Sequence, residues 1–452
     1  MKTKRLSLST AQIIMLSFLC AILLGSILLS LPISSASGKS VGYIDALFTA
    51  TTATCVTGLV TLPTVSTWSI FGQVVILILI QIGGLGIITV MSWLMAILNK
   101  RISLTDRLLI QDAFNLNSLS GLVKFIKKVV LGTFVVEGIG ALLYMMVFIP
   151  QFGAKGIWIS IFNSISAFCN AGIDIISENS LADYVNNPLI NLVTCSLIIL
   201  GGIGFIVWWD IARVMKTKRH LGIKCFKFLN LHTKIVLLAT FILIVLGALF
   251  IFIFEYNNPK TMQDMTLFQK IQASFFQSVT TRTAGFFTIP QQDFTNASSI
   301  LCVFLMFIGG SPAGTAGGIK TVTIVVLILS TIATVKNKNE AIIFNRNIDN
   351  KAIQKAVAVT AISFTIFFIS TLFLSAVTDA SALDVMYETA SATATVGLSR
   401  NITPMLNTFG KLIIIATMYL GRIGPISLFI AFSIRKESQN IIKSPTEQIS
   451  VG

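Results

Sequence analysis

A chain of 452 residues, 54% of them hydrophobic and only 11% charged, reaches a mean hydropathy of +0.85, whereas charged side chains make up about a quarter of a typical soluble domain. This composition defines an integral membrane protein and excludes a soluble enzyme, a disordered chain and a nucleic-acid binder. The net charge of +15 therefore needs an explanation other than nucleic acid. Six cysteines without CxxC spacing, and two histidines (His220 and His232) in one Lys-rich stretch, suggest neither a disulfide framework nor a metal site.

Crossing about 30 Å of hydrocarbon as helix takes about 20 mostly apolar residues. Eight stretches meet that requirement: 11–31, 72–98, 128–150, 189–212, 233–254, 299–335, 354–377 and 409–434. The first follows Lys2, Lys4 and Arg5 as a signal peptide would, but its apolar core is too long and ends at Pro32 without a cleavage pattern. Of the 33 lysines and arginines, 24 fall in residues 1–10, 100–128, 213–234, 336–355 and beyond 434. Positive charge stays on the cytoplasmic side, so both termini and three basic loops are expected in the cytoplasm of a bacterial inner membrane, beside its lipid headgroups. Topology thus accounts for the net charge.

On the opposite side, four connections carry Thr-, Ser- and Ala-rich stretches that each run into a glycine: TATTATCVTGL (49–59), NSISAFCNAGI (163–173), FQSVTTRTAGF (276–286) and TASATATVGLS (389–399). The glycines Gly58, Gly172, Gly285 and Gly397 lie 114, 113 and 112 residues apart, an internal repeat. An aromatic residue stands ten positions before each: Phe48, Phe162, Phe275 and Tyr387. Further on, each quarter has a glycine-marked stretch in its next span: QIGGLG (81–86), LGGIG (200–204), GGSPAGTAGG (309–318) and LGRIGP (420–425). The pairs at 83–84 and 201–202 read as close helix-packing positions.

The expected fold is all-α: four units of helix, re-entrant pore helix, filter loop and helix around one pore. The units cover 1–100, 101–220, 221–340 and 341–452. Irregular backbone at membrane depth is tolerated only where it is buried in protein or lines water. A ring of backbone carbonyls there replaces the hydration shell of a cation. The expected filter residues are Thr54, Cys55, Val56, Thr57 and Gly58; Cys169, Asn170, Ala171 and Gly172; Thr283, Ala284 and Gly285; and Thr395, Val396 and Gly397.

Together with these stretches, IDALFTATTATCVTGL, GQVVILILIQIGGLGI, ISAFCNAG, TTRTAGF, SATATVGL and MYLGRIGP make the chain resemble the membrane subunit of bacterial Ktr potassium transporters, within the Ktr/Trk/HKT superfamily. The resemblance implies a homodimer on a cytoplasmic ring of nucleotide-binding RCK subunits, and potassium uptake that depends on or is stimulated by sodium. No nucleotide site is expected in the chain itself: GTAGGIKT (314–321) lacks the GK pair and preceding strand of a phosphate loop. Asn170 replaces Val56, Thr283 and Thr395, and Phe168 replaces Thr54, Thr281 and Thr393, an asymmetry expected to weaken selectivity against sodium.

Glycine and proline cost roughly 1–3 kcal/mol each inside a helix. The sixth span should therefore break into a loop at Gly309, Gly310, Ser311, Pro312, Ala313, Gly314, Thr315, Ala316, Gly317 and Gly318, a candidate gate below the filter and the one broken span expected. Ionisable residues within spans usually face protein or water and are paired. Arg282 is expected to brace its loop by pairing with a carboxylate such as Glu388, Arg422 to line or anchor the gate, and Glu137 to pack with a hydrogen-bond partner. An organic-solute carrier would need inverted repeats, and an intramembrane enzyme would need a nucleophile and base. Neither pattern is present in the sequence, and a related potassium-pump subunit is the nearer rival.

Overall fold

The computed structural model describes residues 9–98, 108, 121–338 and 340–424. Four long apolar helices open the four repeats: α1 (Thr10–Ser30), α5 (Leu122–Phe152), α9 (Leu231–Glu255) and α13 (Asn350–Val377). Each is followed by a helix of 13 to 15 residues, too short to span: α2 (Tyr43–Cys55), α6 (Lys155–Cys169), α10 (Leu267–Thr280) and α14 (Ala382–Ala394). The filter stretches end these short helices. After each filter loop a new helix starts at a side-chain cap, Ser69, Asn187, Thr295 or Asn407, whose oxygen accepts a first-turn amide and so satisfies a donor that hydrocarbon would leave orphaned.

These second spans differ from expectation. Residues 72–98 and 189–212 are not continuous helices: α3 (Ile70–Leu85) and α4 (Ile87–Ile97) meet at 94°, and α7 (Pro188–Gly202) and α8 (Phe205–Lys218) at 96°. Gly86 and Gly204 turn the chain with φ of +84° and +91°, where a Cβ is strongly disfavoured. The third repeat breaks between α11 (Asn296–Phe307) and α12 (Thr321–Val335). In the fourth, α15 (Thr408–Ile423) ends at Gly424, with φ +90°. Interruption is thus a feature of the first three second spans and not of the sixth span alone. Residues 425–434 of the eighth expected span, and the basic residues in 1–8, 100–120 and beyond 434, lie outside the described residues.

The repeats are pinned at every seam. Trp158 Nε1 donates to Gln73 Oε1 (2.8 Å) between the first and second, and Gln272 Nε2 to Val185 O (2.8 Å) between the second and third. Tyr387 Oη donates to Gln291 Oε1 (2.7 Å) between the third and fourth. The Lys411 to Asp45 ion pair (2.6 Å) joins the fourth back to the first, which closes the circle.

One periodicity reads differently in three dimensions. Phe48, Phe162 and Tyr387 are fully buried, but Phe275 is 40% exposed and Phe276 takes its place in the core. In the third repeat the pore helix stops at Thr280, five residues before its glycine, where the others stop three before. The stretch between aromatic anchor and glycine is therefore one residue shorter.

Candidate functional site

The four glycines meet on one axis. A Cβ added to Gly58 would lie 2.5 Å from Ala171 O and 3.2 Å from the Cα atoms of both Gly172 and Gly397. One on Gly172 would meet Ala284 O at 2.5 Å, one on Gly285 would meet Val396 O at 2.7 Å, and one on Gly397 would meet Thr57 O. Each glycine thus abuts the carbonyl that precedes the next glycine, in chain order and cyclically. All four have positive φ: +99°, +64°, +86° and +96°.

Two residues earlier in each loop, Val56, Asn170, Thr283 and Thr395 also hold positive φ, between +52° and +69°. For β-branched residues this conformation is an outlier, and strain of about 1–3 kcal/mol persists only where the surroundings enforce it. The pore helices enforce it. Thr52 Oγ1 and Ser391 Oγ each accept from the filter glycine's own amide at 2.9 Å. Ser166 Oγ and Thr280 Oγ1 donate to Ile173 O and Phe286 O just beyond the other two glycines. Sequence reading missed these hydroxyls, although one stands six residues before three of the glycines and five before the fourth.

The arrangement suits a dehydrated cation. Pore-helix C-termini converge on the ring, and their free carbonyls carry partial negative charge. Thr57 Oγ1, Asn170 Oδ1, Thr283 Oγ1 and Thr395 Oγ1 are buried there without a partner, unusual for polar atoms in a folded protein. Other expected filter residues face away from the ring. Thr54 Oγ1 bonds its own helix at Ala50 O (2.7 Å), Cys55 packs in the cluster of Ile414 and Met418, and Cys169 Sγ points toward Gln81 and Glu137. Asp174 lies two residues past Gly172, half-buried, and burial pushes its carboxyl up to about 6.

The loop 309–318 lies at the foot of these pore helices. Ser311 N donates to Gly202 O (2.8 Å), Thr315 N to Gly201 O (3.1 Å), and Phe205 N to Ala313 O (2.9 Å). Thr315 Oγ1 reaches Phe168 O at 3.1 Å, and Gly317 fits against Ala394 O and Thr395. The loop belongs to the third repeat yet contacts the second and fourth directly. Arg422 links it to the first, donating to Thr315 O (2.7 Å) and to Gly83 O.

Lys320 Nζ binds Ala316 O at 2.6 Å. Arg282 does not pair with Glu388: its guanidinium donates to Gly309 O (3.4 Å), while Glu388 accepts from Ser399 (2.6 Å) and Thr403. Arg282 is thereby a third cation on a carbonyl of this loop, and its Nε has no partner. Gly83 and Gly201 of the glycine pairs, and Gly421, serve packing, since a Cβ on each would strike the Thr54, Phe168 or Thr393 carbonyl respectively.

Four pore helices, a carbonyl ring and a loop beneath it define a membrane protein built to pass a cation. The chain belongs to the TrkH cation transport protein family, which it matches over residues 4–444; it is a transporter and not an enzyme. It is 41% identical to Ktr system potassium uptake protein B of Bacillus subtilis over 442 residues, covering 98% of this chain and 96% of that one. It is 39% identical to the potassium/sodium uptake protein NtpJ of Enterococcus hirae, covering 100% and 99%. The fold resembles the crystal structure of the potassium transporter TrkH from Vibrio parahaemolyticus, with a TM-score of 0.76, 17% identity and coverage of 96% and 87%.

Proposed function

We propose that this protein takes up potassium through the ring of Gly58, Gly172, Gly285 and Gly397, in channel fashion, driven by the membrane potential. The observation that carries this reading is the cyclic abutment of each glycine against the carbonyl that precedes the next. A potential supplies roughly 2.3 kcal/mol per charge per 100 mV, enough for about 50-fold accumulation of a monovalent cation without an ATPase. The names of the Bacillus and Enterococcus relatives support potassium as cargo and a link to sodium.

The four repeats, 1–100, 101–220, 221–340 and 341–452, act as quarters of one pore. The loop 309–318, held by Arg422, is its gate. The basic loops face the cytoplasm of a bacterial inner membrane, where a homodimer rests on an RCK ring that supplies the nucleotide response. Uptake by a potassium-requiring bacterial strain tests this reading, measured for potassium and sodium with and without the RCK subunit. Potassium uptake that rises with the subunit is expected. Uptake of neither ion in cells that insert the protein would overturn it.

A further inference from the structure

Three residues before each filter glycine stand Cys55, Cys169, Arg282 and Ala394. Only the second of these meets a carboxyl group in the hydrogen bonds of the described residues. Glu137, on α5, is 4% exposed and sits behind the second filter loop. Its Oε2 accepts from Gln81 Nε2 at 3.3 Å, and its Oε1 lies 3.8 Å from Cys169 Sγ, with Gln81 Oε1 at 3.7 Å from the same sulfur. The thiol thus has acceptors on two helices of different repeats, α3 and α5. The α5 backbone at this point is itself fixed, because Ser164 Oγ of the pore helix donates to Glu137 O at 2.6 Å. Gly84 leaves the space the sulfur fills: a Cβ there would stand 2.6 Å from it.

Cys169 is the last residue of its pore helix, and the next residue, Asn170, is the one held at positive φ. A tether on Cys169 therefore sets where the strained turn of the second loop begins. Among the hydrogen bonds of the described residues the first loop has no such polar tether, and Cys55 packs among apolar side chains. In the third, the equivalent Arg282 reaches down to the gate loop.

We infer that Glu137 is a positioning residue for ion selection: through Gln81 and Cys169 it holds the second filter loop in register with the other three. The inference rests on the filter reading above. Glu137→Gln would replace one acceptor oxygen by a donor, which then faces either the Gln81 amide or the Cys169 thiol, both of them donors. Loss of a hydrogen bond to the buried Glu137 side chain loosens the loop without emptying the pore. A smaller preference for potassium over sodium is expected, with the maximal rate largely kept.

The test compares apparent affinities for potassium and sodium in vesicles containing the purified protein, for Glu137→Gln, Cys169→Ala, Cys169→Ser, the double Glu137→Gln/Cys169→Ala variant and Gly172→Ala. Glu137→Gln and Cys169→Ala should each lower the potassium-to-sodium preference about tenfold, the equivalent of about 1.4 kcal/mol. Cys169→Ser, which keeps a donor, should stay within about threefold of wild type, and the double variant should fall no further than either single one. If Glu137→Gln fails to insert, the Cys169 pair decides. Unchanged preference in Cys169→Ala, effects that multiply in the double variant, or equal losses in the Ser and Ala variants would overturn the inference. Gly172→Ala separates the two levels: if it alters preference while the Glu137 and Cys169 variants do not, only this inference fails, and if it too leaves preference unchanged, the filter reading falls with it.

Discussion

At the scale of single residues, function rests on backbone conformations that side chains resist. Gly58 combines φ of +99° with a neighbouring carbonyl 2.5 Å from any Cβ. Gly58→Ser therefore adds strain of about 1–3 kcal/mol and pushes Ala171 O off the axis. A rise of about tenfold in the apparent Km for potassium, or a comparable loss of preference over sodium, should appear in transport assays on the inserted protein. Wild-type kinetics for both ions would show that Gly58 is not in the ion path. Asp174 makes a second residue-scale prediction. Burial raises its pKa to about 6, so it is ionised and cation-attracting above that pH and neutral below it. Lowering the external pH from about 7.5 to 5 should weaken apparent potassium affinity about threefold, the worth of roughly 0.6 kcal/mol between unit charges about 7 Å apart in water. Asp174→Asn should show the weaker affinity at both pH values. A variant that keeps the full pH response would assign the response elsewhere.

At the scale of elements, the loop between α11 and α12 is held from three sides by Arg282, Lys320 and Arg422 on Gly309, Ala316 and Thr315 carbonyls. If this loop is the gate proposed above, it should open when its clamps go. Deleting residues 311–316 should raise potassium flux and lessen its dependence on the regulatory subunit. Arg422→Gln should raise flux in the intact protein yet add little in the deleted one, because two parts of one barrier do not contribute independently. Reduced flux in a well-expressed deletion, normalised to protein in the membrane, would make the loop a structural kink instead. Sequence legibility also divides by element. The filter loops were readable because only a few residue types tolerate their backbone, and the sixth-span break because five glycines and a proline crowd ten positions. The bends at Gly86 and Gly204 were not read, since the glycine pairs beside them, 83–84 and 201–202, fit close packing of a straight helix and the apolar run continues on both sides. Arg282 was assigned to Glu388 on charge alone, but Ser399 and Thr403 already occupy that carboxylate. The Phe275 to Phe276 shift followed from a shortened helix end that spacing between glycines does not record.

At the scale of the whole molecule, four quarters of unequal sequence form one ring, and their differences lie behind and beneath it: a carboxyl group behind the second loop, a guanidinium behind the third, a glycine-rich loop from the third span pair. The basic loops, proposed above to face the cytoplasm, carry the remaining prediction. Charge reversal at Lys216, Lys218, Arg219, Lys336 and Lys338 should weaken co-purification with the RCK subunit, whereas unchanged binding would leave these residues a topological role alone. The central claim, that the four glycines form one potassium-selecting ring, is tested most directly by radioactive rubidium uptake into vesicles of purified protein under an imposed inside-negative potential. Serine is placed at each of positions 58, 172, 285 and 397 in turn, with potassium and sodium as competitors. Uptake that follows the potential in wild type, with competition by potassium over sodium reduced in all four variants, is the expected result. A properly inserted variant at any one of the four positions that competes as wild type does would contradict it.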